Sequence, residues 1–411
     1  MEKNRWLILL SSFMINICIG SGYAWSVFQK PLIDIFKWTA SEASLTFTIT
    51  FVFVPIAMIV SGKLQDKIGP RKVIMVGALI FGCGIIGAGF TSSLLSLYMT
   101  YGVLGGFGNG IVYSAVIANT VKWFPDRRGL ASGLIVAGFG TGAIVVAPIA
   151  AEMIQGYGVL NTLLYLGICF AILMLVLAQF LHVAPAGFTP AGWAPPAVTA
   201  TSTSKVSEED KNWRQMLIEP MFCILFFMLT IACISGLMVI GHASSIGQEL
   251  IKLTVREAAV VVSFLAMANT IGRVFWGWIS DKIGRFQSCM IMYILLSTTM
   301  FCIGSTSTFG TFVTAVMVVG FCFGGFLGIF PSITADMFGT KNLGMNYGIM
   351  FTGFGLAALI GPRLAAKIKE INSGDYTQAF LIAASLCIVG VLLTFVAMCI
   401  EKRKALALVK G

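Results

Sequence analysis

One arginine stands inside a long apolar run, Arg273 in Met267-Ala-Asn269-Thr-Ile-Gly-Arg273-Val-Phe-Trp276. A guanidinium keeps its proton in proteins, and its planar fork matches a carboxylate. Asn269 lies one helical turn earlier and shares that face. It can donate to the same anion, hold the guanidinium, or act as polar glue between helices. A fixed ion pair is the other reading of Arg273. Against it, none of the 17 acids lies in the middle of an apolar run; Asp66, Asp126, Glu152, Asp281 and Asp336 are all near the ends of runs. Along a helix Arg273 would be on the order of 12 Å from Asp281, too far for easy snorkelling. Tyr113, in Gly110-Ile-Val-Tyr113, is a hydroxyl donor or a packing ring. Tyr23 and Trp25, beside Gly20 and Gly22, line a path or fill a core. His242, in Ile240-Gly-His242-Ala-Ser-Ser, is the group there that titrates near neutral pH, and is a proton-coupling candidate or a hydrogen-bonded core residue.

The surroundings of these residues follow from composition. Of 411 residues, 57% are hydrophobic and 11% charged, against about a quarter charged in soluble domains. Too little polar side chain remains to cover a soluble globule. A cytosolic enzyme, a secreted disulfide scaffold, a disordered chain and a nucleic-acid-binding domain are excluded on that ground. Apolar runs of about 20 residues cross a bilayer as helices. Twelve are expected, over 7–29, 42–65, 73–91, 94–121, 130–155, 160–182, 216–247, 256–280, 287–305, 311–335, 345–369 and 377–400. The net charge of +10 sits in short clusters between runs, which points to anionic lipid as the partner surface. The ten cysteines fall within runs without metal or disulfide spacing. Met1–Trp6 is short and basic, but the run after it is longer than a signal's apolar region, so no cleavable signal is expected.

A polar stretch at 184–215, with Pro185, Gly187, Pro190, Gly192, Pro195 and Pro196 followed by a Thr/Ser tract, reads as a linker. It divides the chain into bundles at 1–183 and 216–411. With both termini inside, 19 of the 27 Lys and Arg lie on inner segments and seven on outer ones, leaving Arg273 within a span. Gly62-Lys-Leu-Gln-Asp66-Lys-Ile-Gly69 matches Gly277-Trp-Ile-Ser-Asp281-Lys-Ile-Gly284, 215 positions on. The same offset takes Gly133 to Gly348, Gly138 to Gly353 and Gly140 to Gly355. The halves are thus parallel repeats with a path between them.

Gly62-x-Leu64-x-Asp66-x-x-Gly69-x-Arg71-Lys72, echoed in the second half, resembles the signature of the major facilitator superfamily. Trp123-Phe-Pro-Asp-Arg127-Arg128-Gly-Leu130-Ala131-Ser-Gly133 resembles the fifth-span motif of monocarboxylate transporters. With Tyr23-Ala-Trp25, Pro185-Ala-Gly-Phe-Thr-Pro190 and Asn346-Tyr347-Gly348, the chain is most similar to the oxalate:formate antiporter family, a bacterial and archaeal branch of those transporters.

The resemblance implies an all-α membrane protein of the major facilitator fold, with two six-helix bundles rocking about a central site in the cytoplasmic (inner) membrane, both termini cytoplasmic. It implies that Arg273 binds a substrate carboxylate, that Tyr113 donates to substrate oxygen, and that Asp66, Arg71, Asp281 and Arg285 belong to interdomain gates. In the family's oxalate carrier a Lys of span eleven supplies a second positive site; the aligned position is Phe354. Phe323 and Phe351 add apolar wall near that depth. A small monocarboxylate such as lactate, pyruvate, acetate or formate is therefore expected rather than oxalate. Proton symport is expected, with anion exchange of the oxalate/formate type as the alternative. The Asp and Lys of the animal carriers read Asn269 and Val27 here, so their proton relay does not transfer. No nucleotide motif appears, and a monomer without cofactor, metal or nucleic acid is expected, with membrane lipid as a partner.

Overall fold

The computed structural model describes residues 4–185, 187–190, 192–193, 210–372 and 376–410, without the side chains of 40, 41, 66, 67, 255, 259 and 404–410. Half of the expected linker, 194–209, and the Asp66 side chain therefore lie outside the described residues. Among the described residues all regular structure is helical. Twelve helices are long and apolar enough to cross a membrane: Arg5–Phe36, Glu42–Gln65, Pro70–Gly89, Leu94–Trp123, Arg128–Tyr157, Val159–Ala178, Pro220–Ile240, Arg256–Ile283, Arg285–Ile303, Phe309–Phe338, Leu343–Ile371 and Thr377–Arg403. They are numbered here as spans one to twelve.

Two spans differ from expectation for local reasons. Span one continues past the polar Gln29 and Lys30 and ends where Lys37 turns left-handed at φ 58°. Leaving the apolar layer does not break a helix; losing its hydrogen-bond pattern does. Span seven starts at Pro220, whose missing N–H costs nothing in a first turn. It stops at Gly241, and Ala243–Leu250 forms a separate short helix rather than the end of one long span. Span one also contains a tight 3-10 turn at Ser21–Ala24, and span four a π-helical stretch at Tyr98–Gly105.

The 215-residue repeat reaches into the helix caps. Thr39 and Thr254 each form a reciprocal cap with an acid three residues on, Glu42 and Glu257. Ser93 and Thr308 form another pair at the same offset. Gly69 and Gly284, between spans two and three and eight and nine, turn at φ 81° and 102°, where an L side chain would be strained.

The two halves meet along two seams. Span two lies against span eleven, and span five against spans eight and ten. Backbone approaches backbone there. A side chain at Gly62 would begin 2.1 Å from the Met345 nitrogen, and one at Gly129 would begin 2.2 Å from the Gly277 oxygen. Without a hydrophobic drive inside lipid, such close packing and interhelical hydrogen bonds carry the association.

Polar contacts across the seams cluster toward the end that carries the linker. Ser114 Oγ donates to the Gly344 carbonyl at 3.1 Å, and Lys122 Nζ to the Lys341 carbonyl at 3.4 Å. Ser132 Oγ lies 2.7 Å from both the Gly328 carbonyl and Ser332 Oγ. The Gly129 and Leu130 amides, at the start of span five, donate to the two oxygens of Asp281 at 2.8 Å each. A carboxylate at a helix start meets unpaired N–H groups and the positive end of the dipole. Arg285 bridges Asp281 at 2.7 Å and Asp336 at 2.9 Å, and Arg128 reaches Asp336 at 2.7 Å from the other half. All four side chains are mostly buried. The linker end is therefore shut by a small charge network whose members come from spans five, eight, nine and ten.

Candidate functional site

Arg273 lies midway along span eight and is 2% exposed. Two neutral oxygens accept its hydrogen bonds, and the Tyr23 hydroxyl of the other half lies within reach of it. Its Nε donates to Asn269 Oδ1, one turn away, at 3.0 Å. Its Nη1 donates to the Val136 carbonyl of span five, in the other half, at 2.6 Å. Asn269 thus serves as an orienting support, with its oxygen committed to the guanidinium. Three glycines make room. Gly133 and Gly328 face the Arg273 carbonyl, and added side chains would begin 2.3 and 2.6 Å from that oxygen. At Gly140 a side chain would begin 3.2 Å from both Cζ and Nη1 of the guanidinium.

Beside Arg273 is a cavity of about 10 Å³, room for roughly one water. Tyr23, Phe51, Val54, Tyr113, Phe139, Leu327, Phe351 and Phe354 line it together with Arg273. The aromatic rings form one connected wall. Tyr23 stacks on Phe51 at 5.1 Å and meets Phe139 edge-on at 5.3 Å. Tyr113 touches Phe139 at 5.1 Å and Phe351 at 5.9 Å, and Phe351 stacks on Phe354 at 4.8 Å. The Tyr347 hydroxyl lies within reach of Tyr113 but meets no hydrogen bond of normal geometry. Chemically this is one cation with two phenols in an otherwise apolar box, and none of the lining side chains is acidic. Such a box suits one negative charge on a small apolar body. Even formate exceeds the present volume, so the walls must part to admit a ligand.

The structure brings Arg273, Asn269, Tyr113, Tyr23, Phe351 and Phe354 together. It separates three other candidates from them. Phe323 is buried within the second half against Gly236 and is not part of the cavity wall. Trp25 packs on Tyr101 at 4.7 Å. His242 sits at the far end of span seven, where Nε2 is 2.9 Å from the Pro362 carbonyl and the ring is 6.0 Å from Tyr376. It does not line the cavity. Of the gate residues, Asp281 and Arg285 join the charge network. Arg71 instead donates to Gln179 of its own half, so it does not bridge the halves. Asp336 and Arg128 complete the network and were not singled out by sequence, because their roles depend on which spans meet. Phe51, Val54, Phe139 and Leu327 were also missed. A signal existed for two of them: Phe139 is the repeat mate of Phe354, and Val54 that of Asn269, both at the 215 offset.

The family model described as Major Facilitator Superfamily matches residues 6–307 and 221–408. An uncharacterised transporter of that superfamily from Escherichia coli, YhjX, is 32% identical over 87% of this chain and 87% of its own. The oxalate:formate antiporter of Oxalobacter formigenes is 29% identical over 93% and 88%. Human monocarboxylate transporter 12 is 25% identical over 97% and 81%. Among solved structures, the proton:xylose symporter XylE aligns with a TM-score of 0.69 over 95% of both chains at 13% identity, a likeness of fold. On these matches and its twelve spans, the chain belongs to the Major Facilitator Superfamily and is a multi-pass membrane transporter.

Proposed function

We propose that this transporter carries a small monocarboxylate, of the lactate and pyruvate kind, together with a proton. The observation that carries the reading is that Arg273, buried between the halves, is the one charged residue lining an aromatic box where Phe354 stands at the second-cation position. One guanidinium balances one carboxylate, and the box supplies apolar contact for a short carbon body. The bundles 1–183 and 216–411, joined by 184–215, rock about this site. The Lys and Arg bias supports a linker end that faces the cytoplasm of a cell whose inner membrane holds the protein. On that orientation the charge network of Asp281, Arg285, Asp336 and Arg128 is the cytoplasmic gate, closed here. The protein needs no cofactor and works as a monomer in contact with anionic lipid.

His242 is bound to a backbone carbonyl away from the box, so the proton crosses on the substrate carboxylate beside Arg273. A His242→Ala variant then keeps its pH-driven uptake; loss of the pH drive in that variant would return the histidine to the mechanism. One observation favours anion exchange as a second reading, the similarity to the oxalate:formate antiporter. The deciding experiment is uptake of labelled lactate, pyruvate, acetate, formate and oxalate by proteoliposomes under imposed pH and potential gradients. Monocarboxylate uptake driven by an inward proton gradient supports symport. Counterflow indifferent to that gradient supports exchange. Oxalate carried as well as lactate would overturn the monocarboxylate reading.

A further inference from the structure

Among the residues of this site, Arg273 is the one whose side chain is hydrogen-bonded to the backbone of the opposite half. Its partner, the Val136 carbonyl, lies inside a continuous helix, where it already accepts from its own ladder. A second donor can reach such an oxygen only where the following turn leaves it uncovered. Gly140, one turn on, leaves it uncovered: a side chain there would begin 3.2 Å from both Cζ and Nη1 of Arg273. Gly133, one turn before, lets the Arg273 backbone itself come close. Span five therefore presents a docking place for a guanidinium, formed by one carbonyl and two residues without side chains. At 2.6 Å the contact is short, as expected of a charge-assisted bond.

From this geometry we infer that the Val136 carbonyl is the substrate's competitor for Arg273, and that Gly140 is a positioning residue that makes the competition possible. The inference rests on Arg273 being the carboxylate site. Asn269 already holds the Nε hydrogen, which removes one tooth of the side fork. Nη1 carries two hydrogens, and a carboxylate gripping the end fork takes the one facing Nη2 and turns the guanidinium toward itself, off the Val136 carbonyl. Binding in the second half thereby releases a bond to the first half, in the seam that must part when the cytoplasmic gate opens. The carboxylate is a better acceptor than a peptide carbonyl, so the exchange is downhill but not free. Part of the binding energy is used to loosen the junction, which links occupancy to movement.

Two variants weaken this bond in different ways. Gly140→Val forces the guanidinium away from Val136. Replacing Ala137 by its α-hydroxy analogue turns the Val136 carbonyl into an ester, a poorer acceptor, without adding an atom. Both remove a competitor, so both should bind ligand more tightly than the unmodified protein, an effect that damaged packing would not produce. The readout is thermal stabilisation in detergent during titration with lactate and, in parallel, formate. The expected gain is about tenfold for Gly140→Val and about threefold for the ester. If the side chain added by Gly140→Val crowds the box and weakens binding, the ester variant decides. An ester variant that titrates like the unmodified protein, or more weakly, overturns the inference. If neither these acids nor pyruvate and acetate stabilise the unmodified protein, the carboxylate reading itself fails, and the inference with it.

Discussion

Arg273→Lys keeps the charge within the box but gives up the fork. A lysine ammonium cannot hold Asn269 Oδ1, the Val136 carbonyl and a two-oxygen ligand in one plane. Hydrogen bonds to charged groups are worth about 1.5–3 kcal/mol each. Half-saturation for lactate should therefore rise about ten- to a hundredfold in uptake assays, and an unchanged value would show that charge alone suffices. Phe354→Lys tests the opposite substitution. It places a second cation against Phe351 in the box wall, so oxalate should begin to compete with labelled lactate for uptake, where it does not in the parent. Arg273 and Asn269 were legible in the sequence because a charge inside an apolar run is rare and costly. Phe51 and Leu327 were not, because an apolar residue in an apolar run carries no local mark. Only the crossing of spans decides which of many phenylalanines face the cavity.

Spans act through their ends and seams. Asp336 lies near the end of span ten and holds Arg128 from one half and Arg285 from the other. Removing its charge leaves two buried cations short of a partner, a loss of about 3–5 kcal/mol for a broken buried pair. Asp336→Asn should lower the melting temperature in detergent and raise the reactivity of groups lining the linker end; a variant that melts like the parent would mean solvent already carries those charges. Gly62→Val acts at the other seam. The added side chain would meet the Met345 backbone, which no rotamer change relieves. Uptake should fall to background while ligand-induced stabilisation in detergent persists, since Gly62 lies outside the box wall and Arg273 and Asn269 are on another span. The spans themselves were readable from hydrophobic length. The end of span one and the break after span seven were not, because a polar Gln29-Lys30 pair looks like a helix end and Gly241-His242 does not look like a break.

Across the whole molecule, the repeat accounts for much of the architecture. It pairs caps Thr39 with Thr254 and Ser93 with Thr308, and turns Gly69 with Gly284. It also exposes where the halves diverge. The repeat mate of Arg273 is Met58, fully buried and apolar, so the two-fold scaffold carries a one-sided site. The sequence revealed the repeat through its glycines, whereas the pairing of span two with span eleven and of five with eight needed coordinates. That one-sidedness has an electrical consequence. A monoanion on Arg273 makes the moving centre neutral, whereas the guanidinium alone is a unit charge, worth about 2.3 kcal/mol per 100 mV across the full field. In pure exchange every crossing is made by the neutral pair, so rapid concentration jumps on a solid-supported membrane should displace almost no charge. In symport the protonated acid leaves the guanidinium uncompensated both on crossing and on return. Each half-cycle then displaces charge in opposite senses while the complete cycle remains electroneutral.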